Sequence, residues 1–112
     1  MTTLHSPEQV LNRLGKSLPM AVRRGLQLLQ SIQHGGLRLQ CPDGSWVRFG
    51  QESGPQAELI LHNWLVFGAS LRSGDIGFAE TFIAGDWDTP DLTGLLQLLV
   101  INRRPMDDMI FG

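Results

Sequence analysis

The chain has 112 residues, a net charge of -2 and 42% apolar residues, with 18% charged. That length suits one domain with a real core, and the composition argues against disorder. The charge balance offers no basic excess for a run of phosphates, which excludes a nucleic-acid partner.

Ser6-Pro7-Glu8-Gln9 reads as a helix start: serine caps, proline suits the first helical position, and Gln9 can close a capping box. Val10, Leu11, Leu14 and Leu18 follow near helical spacing, with Gly15 and Pro19 interrupting. Pro19 opens a second helix, striped by Val22, Leu26 and Leu29, which Gly35-Gly36 is expected to end. The period then shifts to two. Leu37, Leu39 and Cys41 alternate with polar residues, Pro42-Asp43-Gly44 signals a turn, and Val47 and Phe49 alternate again. After a loop over 50–55, Ala57, Leu59 and Leu61 share one strand face. These runs predict a three-strand antiparallel meander with one face buried.

Asn63 is a candidate cap for a helix running to Gly74 with Trp64, Phe67 and Leu71 on one side. Asp75 is a candidate cap for the next, which carries Phe78, Ala79, Phe82 and Ile83 and ends at Gly85. Thr89-Pro90 opens a last helix with Leu92, Leu95, Leu96 and Leu99 at i, i+3, i+4 and i+7, and Pro105 is expected to stop it. Met109, Ile110 and Phe111 make the tail sticky if it is left free. The order predicts an α+β fold over 1–112: a small antiparallel sheet of three or more strands, covered by helices on one face. No Gly-rich loop opens a helix after a strand, so no Rossmann cofactor site is expected.

Candidate chemistry is sparse. His5, His34 and His62 are far apart and lack companions at ligand spacing, so no metal site is expected. Asp86, Asp88 and Asp91 fail the calcium-loop pattern, with Asp91 where glycine is required and Gln97 where glutamate is required. Cys41 lies on an apolar strand face with no base beside it, and reads as core. A lone thiol fits a reducing compartment, the N-terminus lacks a signal-peptide pattern, and no apolar run approaches a membrane span. A cytoplasmic location is therefore expected. Glu80 is mid-helix among apolar residues: it either faces solvent or serves a structural or interface role. Trp87 either closes the turn between two helices as core or walls an apolar cavity. Trp64, Phe67, Phe78, Phe82, Leu95 and Leu99 are core by default, yet could equally line an acyl-chain pocket.

The stretch G-D-I-G-F-A-E-T-F-I-A-G-D-W-D, Gly74 to Asp88, resembles the N-terminal region of the cyclopropane-fatty-acyl-phospholipid synthases. Gly77, Glu80, Gly85 and Trp87 match the pattern G-x-x-E-x-x-x-x-G-x-W, and G-L-R-L-Q-C-P-D-G and A-E-L-I-L-H-N precede it in order. The outline also resembles the sterol-carrier-protein-type-2 fold, which holds lipid between sheet and helices. The resemblance implies a lipid-binding or substrate-presenting front domain of an S-adenosylmethionine-dependent methyltransferase. The expected partners are a phospholipid or fatty acyl chain, the methyltransferase domain, a second copy of the chain and the inner membrane surface. The alternative it leaves is a docking or dimerisation domain without a lipid pocket. The methyltransferase domain is absent from these 112 residues, so no catalytic residue is carried over and no cofactor is expected on this chain; S-adenosylmethionine belongs to the missing domain.

Overall fold

The computed structural model describes residues 4–14 and 17–111. Five strands, β1 (Leu4–His5), β2 (Gly36–Gln40), β3 (Trp46–Gly50), β4 (Gln56–Leu61) and β5 (Trp87–Asp88), form one sheet. Five helices, α1 (Pro7–Leu14), α2 (Met20–Leu29), α3 (Leu65–Ile83), α4 (Leu92–Ile101) and α5 (Arg103–Phe111), complete an α+β domain.

The sheet is larger than the sequence suggested, and mixed. Its order is β1-β3-β2-β4-β5. β2 and β3 form the expected antiparallel hairpin, with Leu37 opposite Phe49 and Leu39 opposite Val47. β4 does not continue a meander. It returns past β3 and pairs in parallel with β2, Leu37 to Ala57 and Leu39 to Leu59. Alternation fixes which face of a strand is buried but not which neighbour it takes. The two-residue edge strands β1 and β5 carried too short a pattern to be read.

One face of the sheet is sealed. Leu37, Leu39, Val47, Phe49, Ala57, Leu59 and Leu61 point into the core with Val10, Val22, Leu26, Leu29, Val66, Leu95 and Leu98. Cys41, just past β2, is 1% exposed. Burial pushes its thiol pKa above the ordinary value. The opposite face carries Arg38, Gln40, Arg48 and Glu58, as expected of a sheet wet on one side.

The helix starts follow local chemistry. Ser6 and Gln9 close a reciprocal capping box: Gln9 N–H donates to Ser6 Oγ at 3.2 Å and Ser6 N–H to Gln9 Oε1 at 2.8 Å. Pro19 caps α2. That helix ends at Leu29, short of the Gly35-Gly36 pair expected to end it. The buried amide of Asn102 holds the intervening segment. Its Oδ1 accepts from Gln33 and His34 N–H at 2.8 and 2.9 Å, and its Nδ2 donates to His34 and Leu98 carbonyls at 2.8 and 2.9 Å.

α4 is capped by Asp91, whose Oδ1 accepts from Gly94 N–H at 3.0 Å, rather than by the Thr89-Pro90 pair. Pro105 does not stop a helix but sits at the third residue of α5, where the missing N–H belongs to the orphan first turn. Leu14's side chain, Gly15, and the side chains of Met109, Ile110 and Phe111 lie outside the described residues.

Candidate functional site

The segment singled out by its motif folds as a helical elbow and a tight turn. At Gly74 the backbone takes φ 56° and ψ -132°, so α3 is two helices meeting at a kink, as the two predicted helices required. A side chain would be strained at that φ. Gly77 is buried where the second half meets the first, and a Cβ there would strike the Ala69 carbonyl. Asp75 does not act as the expected cap: its two carboxylate oxygens accept from Arg103 Nη2 at 2.8 and 3.0 Å. That pair also holds the Arg103 pKa above its usual value.

The C-terminus of α3 is a Schellman turn. Asp86 N–H donates to Thr81 O at 2.9 Å and Gly85 N–H to Phe82 O at 3.0 Å, with Gly85 at φ 83°. The next residue, Trp87, is thereby turned inward and is 1% exposed. Its ring stacks on Phe78 at 4.4 Å between centroids and tilts against Phe82 at 4.7 Å. Its Nε1–H donates to Thr81 Oγ1 at 3.0 Å and Phe78 O at 3.2 Å. Every polar need of the indole is met inside the motif itself, so the ring is packed core.

The turn is tied to the sheet by three contacts. His62 N–H donates to Asp86 O at 2.9 Å. Asn63 Nδ2 donates to Asp86 Oδ1 at 2.8 Å. His62 Nε2 lies 3.4 Å from Asp88 Oδ2. Asn63, expected as a cap, forms an Asx turn with Leu65 N–H at 2.9 Å, one residue before the helix's own N-cap, Trp64. Asp86 and Asp91 thus have structural employment, and no group of three or more His, Cys, Asp or Glu among the described residues could hold a metal.

Seven of the eight residues proposed from sequence divide into three settings. Phe78, Phe82 and Trp87 form one aromatic stack. Trp64 and Phe67 form another, 6.2 Å between centroids, with Phe67 pressed on Gly25 of α2. Leu95 is fully buried and Leu99 is partly buried against the core. Glu80 joins none of these and is exposed. The site residues that sequence reading missed are Thr81 and Asn102, the two buried polar residues among those described. Thr81 is a polar side chain between apolar helical neighbours, and Asn102 directly follows the apolar run of α4, which was the available signal.

Two open depressions among the described residues are bordered by other side chains. One is bordered by Ser6, Glu8, Gln30 and Arg48. The other is bordered by Arg38, Arg48, Glu52, Glu58 and Asp91 on the wet face of the sheet. No helix among the described residues is long and apolar enough to cross a membrane.

Apolar residues instead reach the surface of the helical layer. Ile76, Ile83, Leu65, Met20 and Val100 are 66%, 83%, 63%, 65% and 64% exposed. No family model matches this chain, and neither a curated protein nor a solved structure does.

Proposed function

We propose that this chain is a non-catalytic docking domain of the kind that fronts a cyclopropane-synthase-like methyltransferase, offering its helical faces to a protein partner. The observation that carries this reading is the aromatic packing of the motif, together with the apolar side chains exposed on the helices. Trp87 packs on Phe78 and Phe82, and it is 1% exposed. A pocket for a small ligand is concave and largely pre-formed. The apolar residues left over are turned outward, as in interfaces. The family assignment rests on the run from Gly74 to Trp87, and S-adenosylmethionine chemistry belongs in this reading to the partner. Displacement of a fluorescent fatty-acid probe tests it: no saturable binding is expected up to high micromolar protein. Saturable displacement sinks the docking reading in favour of an acyl-chain carrier.

A second reading places phospholipid at the surface, where peripheral membrane contact at the inner leaflet needs no cavity. Ala21 and Arg72 both reach the Gly68 position, so the starts of α2 and α3 meet there. Met20 and Leu65 are exposed beside them, with Arg24 one turn along α2. Apolar tips among arginines suit an anionic bilayer. Co-sedimentation with anionic phospholipid vesicles, lost in the double variant Met20→Ser, Leu65→Ser, supports this reading. Equal pelleting of the variant rejects it.

A further inference from the structure

Between Leu65 and Ile83 only Gly74 departs from helical backbone angles, at φ 56° and ψ -132°. Turning that one residue to helical values makes α3 a continuous helix of 19 residues, about 28 Å long. Nothing is packed over the bend: residues 71–76 are all exposed, and a Cβ at Gly74 would meet no atom within 4 Å.

The contacts divide at the same point. Residues 75–111 are bonded to one another, with Trp87 stacked on Phe78 and Phe82 and donating to Thr81, and Arg103 clasping Asp75. Phe67 presses on Gly25 of α2 and ties the first half of α3 to the rest of the body. The two bodies meet through β5 on β4, Asp86 on His62 and Asn63, Thr89 on the Glu58 carbonyl and Asn102 on the loop before β2. Every one of these groups is remote from Gly74 in the chain, so the same bonds form with residues 75–111 of another copy. We propose that Gly74 is the hinge of a domain swap, in which straightening of α3 releases residues 75–111 to pack on residues 4–73 of a second copy, and reciprocally. The structure names the occupant, because only this chain's own segment carries that set of partners. The swap goes beyond the docking reading and does not rest on it: it uses the buried contacts of the segment, not its exposed apolar side chains.

Two glycines separate the bent form from the straight one. An L side chain is strained at the φ of Gly74 and unstrained in a helix. A Cβ at Gly77 strikes the Ala69 carbonyl in the bend, whereas in a straight helix these residues stand about 12 Å apart along the axis. Alanine also supports a helix better than glycine does. Both glycines thus serve the closed monomer and neither serves the exchanged dimer. Within one chain the segment is present at an effective concentration on the order of millimolar, so the monomer prevails in dilute solution.

The test uses the full chain with Cys41→Ala, Ile60→Cys and Asp88→Cys, because Ile60 and Asp88 are partners across β4 and β5. A disulfide there closes within a chain in a monomer or a face-to-face dimer, and between chains in a swapped dimer. The reduced chain is refolded at concentrations up to about 1 mM, then oxidised and sized under non-reducing denaturing conditions. A covalent dimer that grows with concentration is expected. Adding Gly74→Ala or Gly77→Ala should lower the dimer dissociation constant by about a hundredfold, about tenfold for each chain. Absence of a covalent dimer at the highest concentration overturns the proposal, as does a dimer whose disulfides lie within chains. Glycine variants that lose stability without gaining dimer overturn it as well. Where a variant does not refold, the concentration series with the native hinge decides.

Discussion

The sheet and the helical layer of this domain solve the same burial problem differently. From Leu37 on in β2, and through β3 and β4, every second residue is buried and its neighbours are polar or half-covered, so the outer face meets water. In α3 and α4 the inner face is buried, but the outer face is also apolar: Ile76, Ile83, Leu92, Leu96 and Val100 are exposed. α4, L-T-G-L-L-Q-L-L-V-I, contains no charged residue. A helix apolar all round is normally covered all round. The contrast teaches that the sheet finishes the fold, while the helices carry surface that the fold does not use.

The strongest way to break this comparison is to empty the joint between the two layers. Trp87→Ala removes a ring that stacks on Phe78 and Phe82 and donates to Thr81. It should cost about 3–5 kcal/mol in denaturant unfolding. A cost near zero would mean that the indole is a replaceable lid and would reopen the cavity reading.

Asn102→Ala is next in size. The amide bonds two N–H groups and two carbonyls, joining α4 to the loop before β2, and the residue is 0% exposed. Removal leaves buried backbone groups unpaired and should cost about 3 kcal/mol. Hydrogen exchange at Gln33 and His34 should accelerate first, because their N–H groups lose their acceptor. Gly77→Ala should follow at about 1–3 kcal/mol, since the Ala69 carbonyl, a backbone group, must move to admit a methyl.

Asn102 also shows how far the sequence was legible. Period-two alternation identified the inner residues of β2, β3 and β4, because a strand with one wet face has two chemically distinct sides. It was silent on pairing, so the parallel β2–β4 contact went unread, as did the short edge strands β1 and β5. The capping box at Ser6 and the break at Gly74 are local chemistry and were readable. In α4 the apolar residues gave no single stripe. Spacing selected Leu92, Leu95, Leu96 and Leu99, whereas the structure buries Leu95 and Leu98 and exposes Leu92 and Leu96. When every side is apolar, periodicity cannot choose one. The Glu80 alternatives needed neighbours from other elements, which only the fold supplies.

Surface substitutions sharpen the comparison from the other side. Ile83→Gln and Leu96→Gln should each change unfolding stability by less than about 0.5 kcal/mol, because both side chains are exposed. The same exchange at inward-facing Leu39, 0% exposed, should be severely destabilising. Equal effects at the three positions would erase the distinction between used and unused apolar surface.

The smallest effect belongs to the hairpin that opens the sheet. Asp43 Oδ1 accepts from Ser45 Oγ at 2.6 Å and Ser45 N–H at 2.9 Å, and the Ser45 hydroxyl, then its N–H, hold the carboxyl pKa below the ordinary value. A depressed carboxylate contributes stability above its unfolded pKa, near 3.9, and loses it as pH falls through the folded value. Asp43 is largely exposed, so this contribution is small. The pH dependence of Ser45 amide exchange below the ordinary carboxylate range should therefore flatten in Asp43→Asn. Cys41 behaves oppositely: its raised pKa keeps the folded thiol neutral while the unfolded chain ionises, so stability falls as pH rises above the ordinary thiol range. Alkylation of Cys41 in that alkaline range should then track global unfolding, whereas fast alkylation of the native protein would show that the buried face of the hairpin opens on its own.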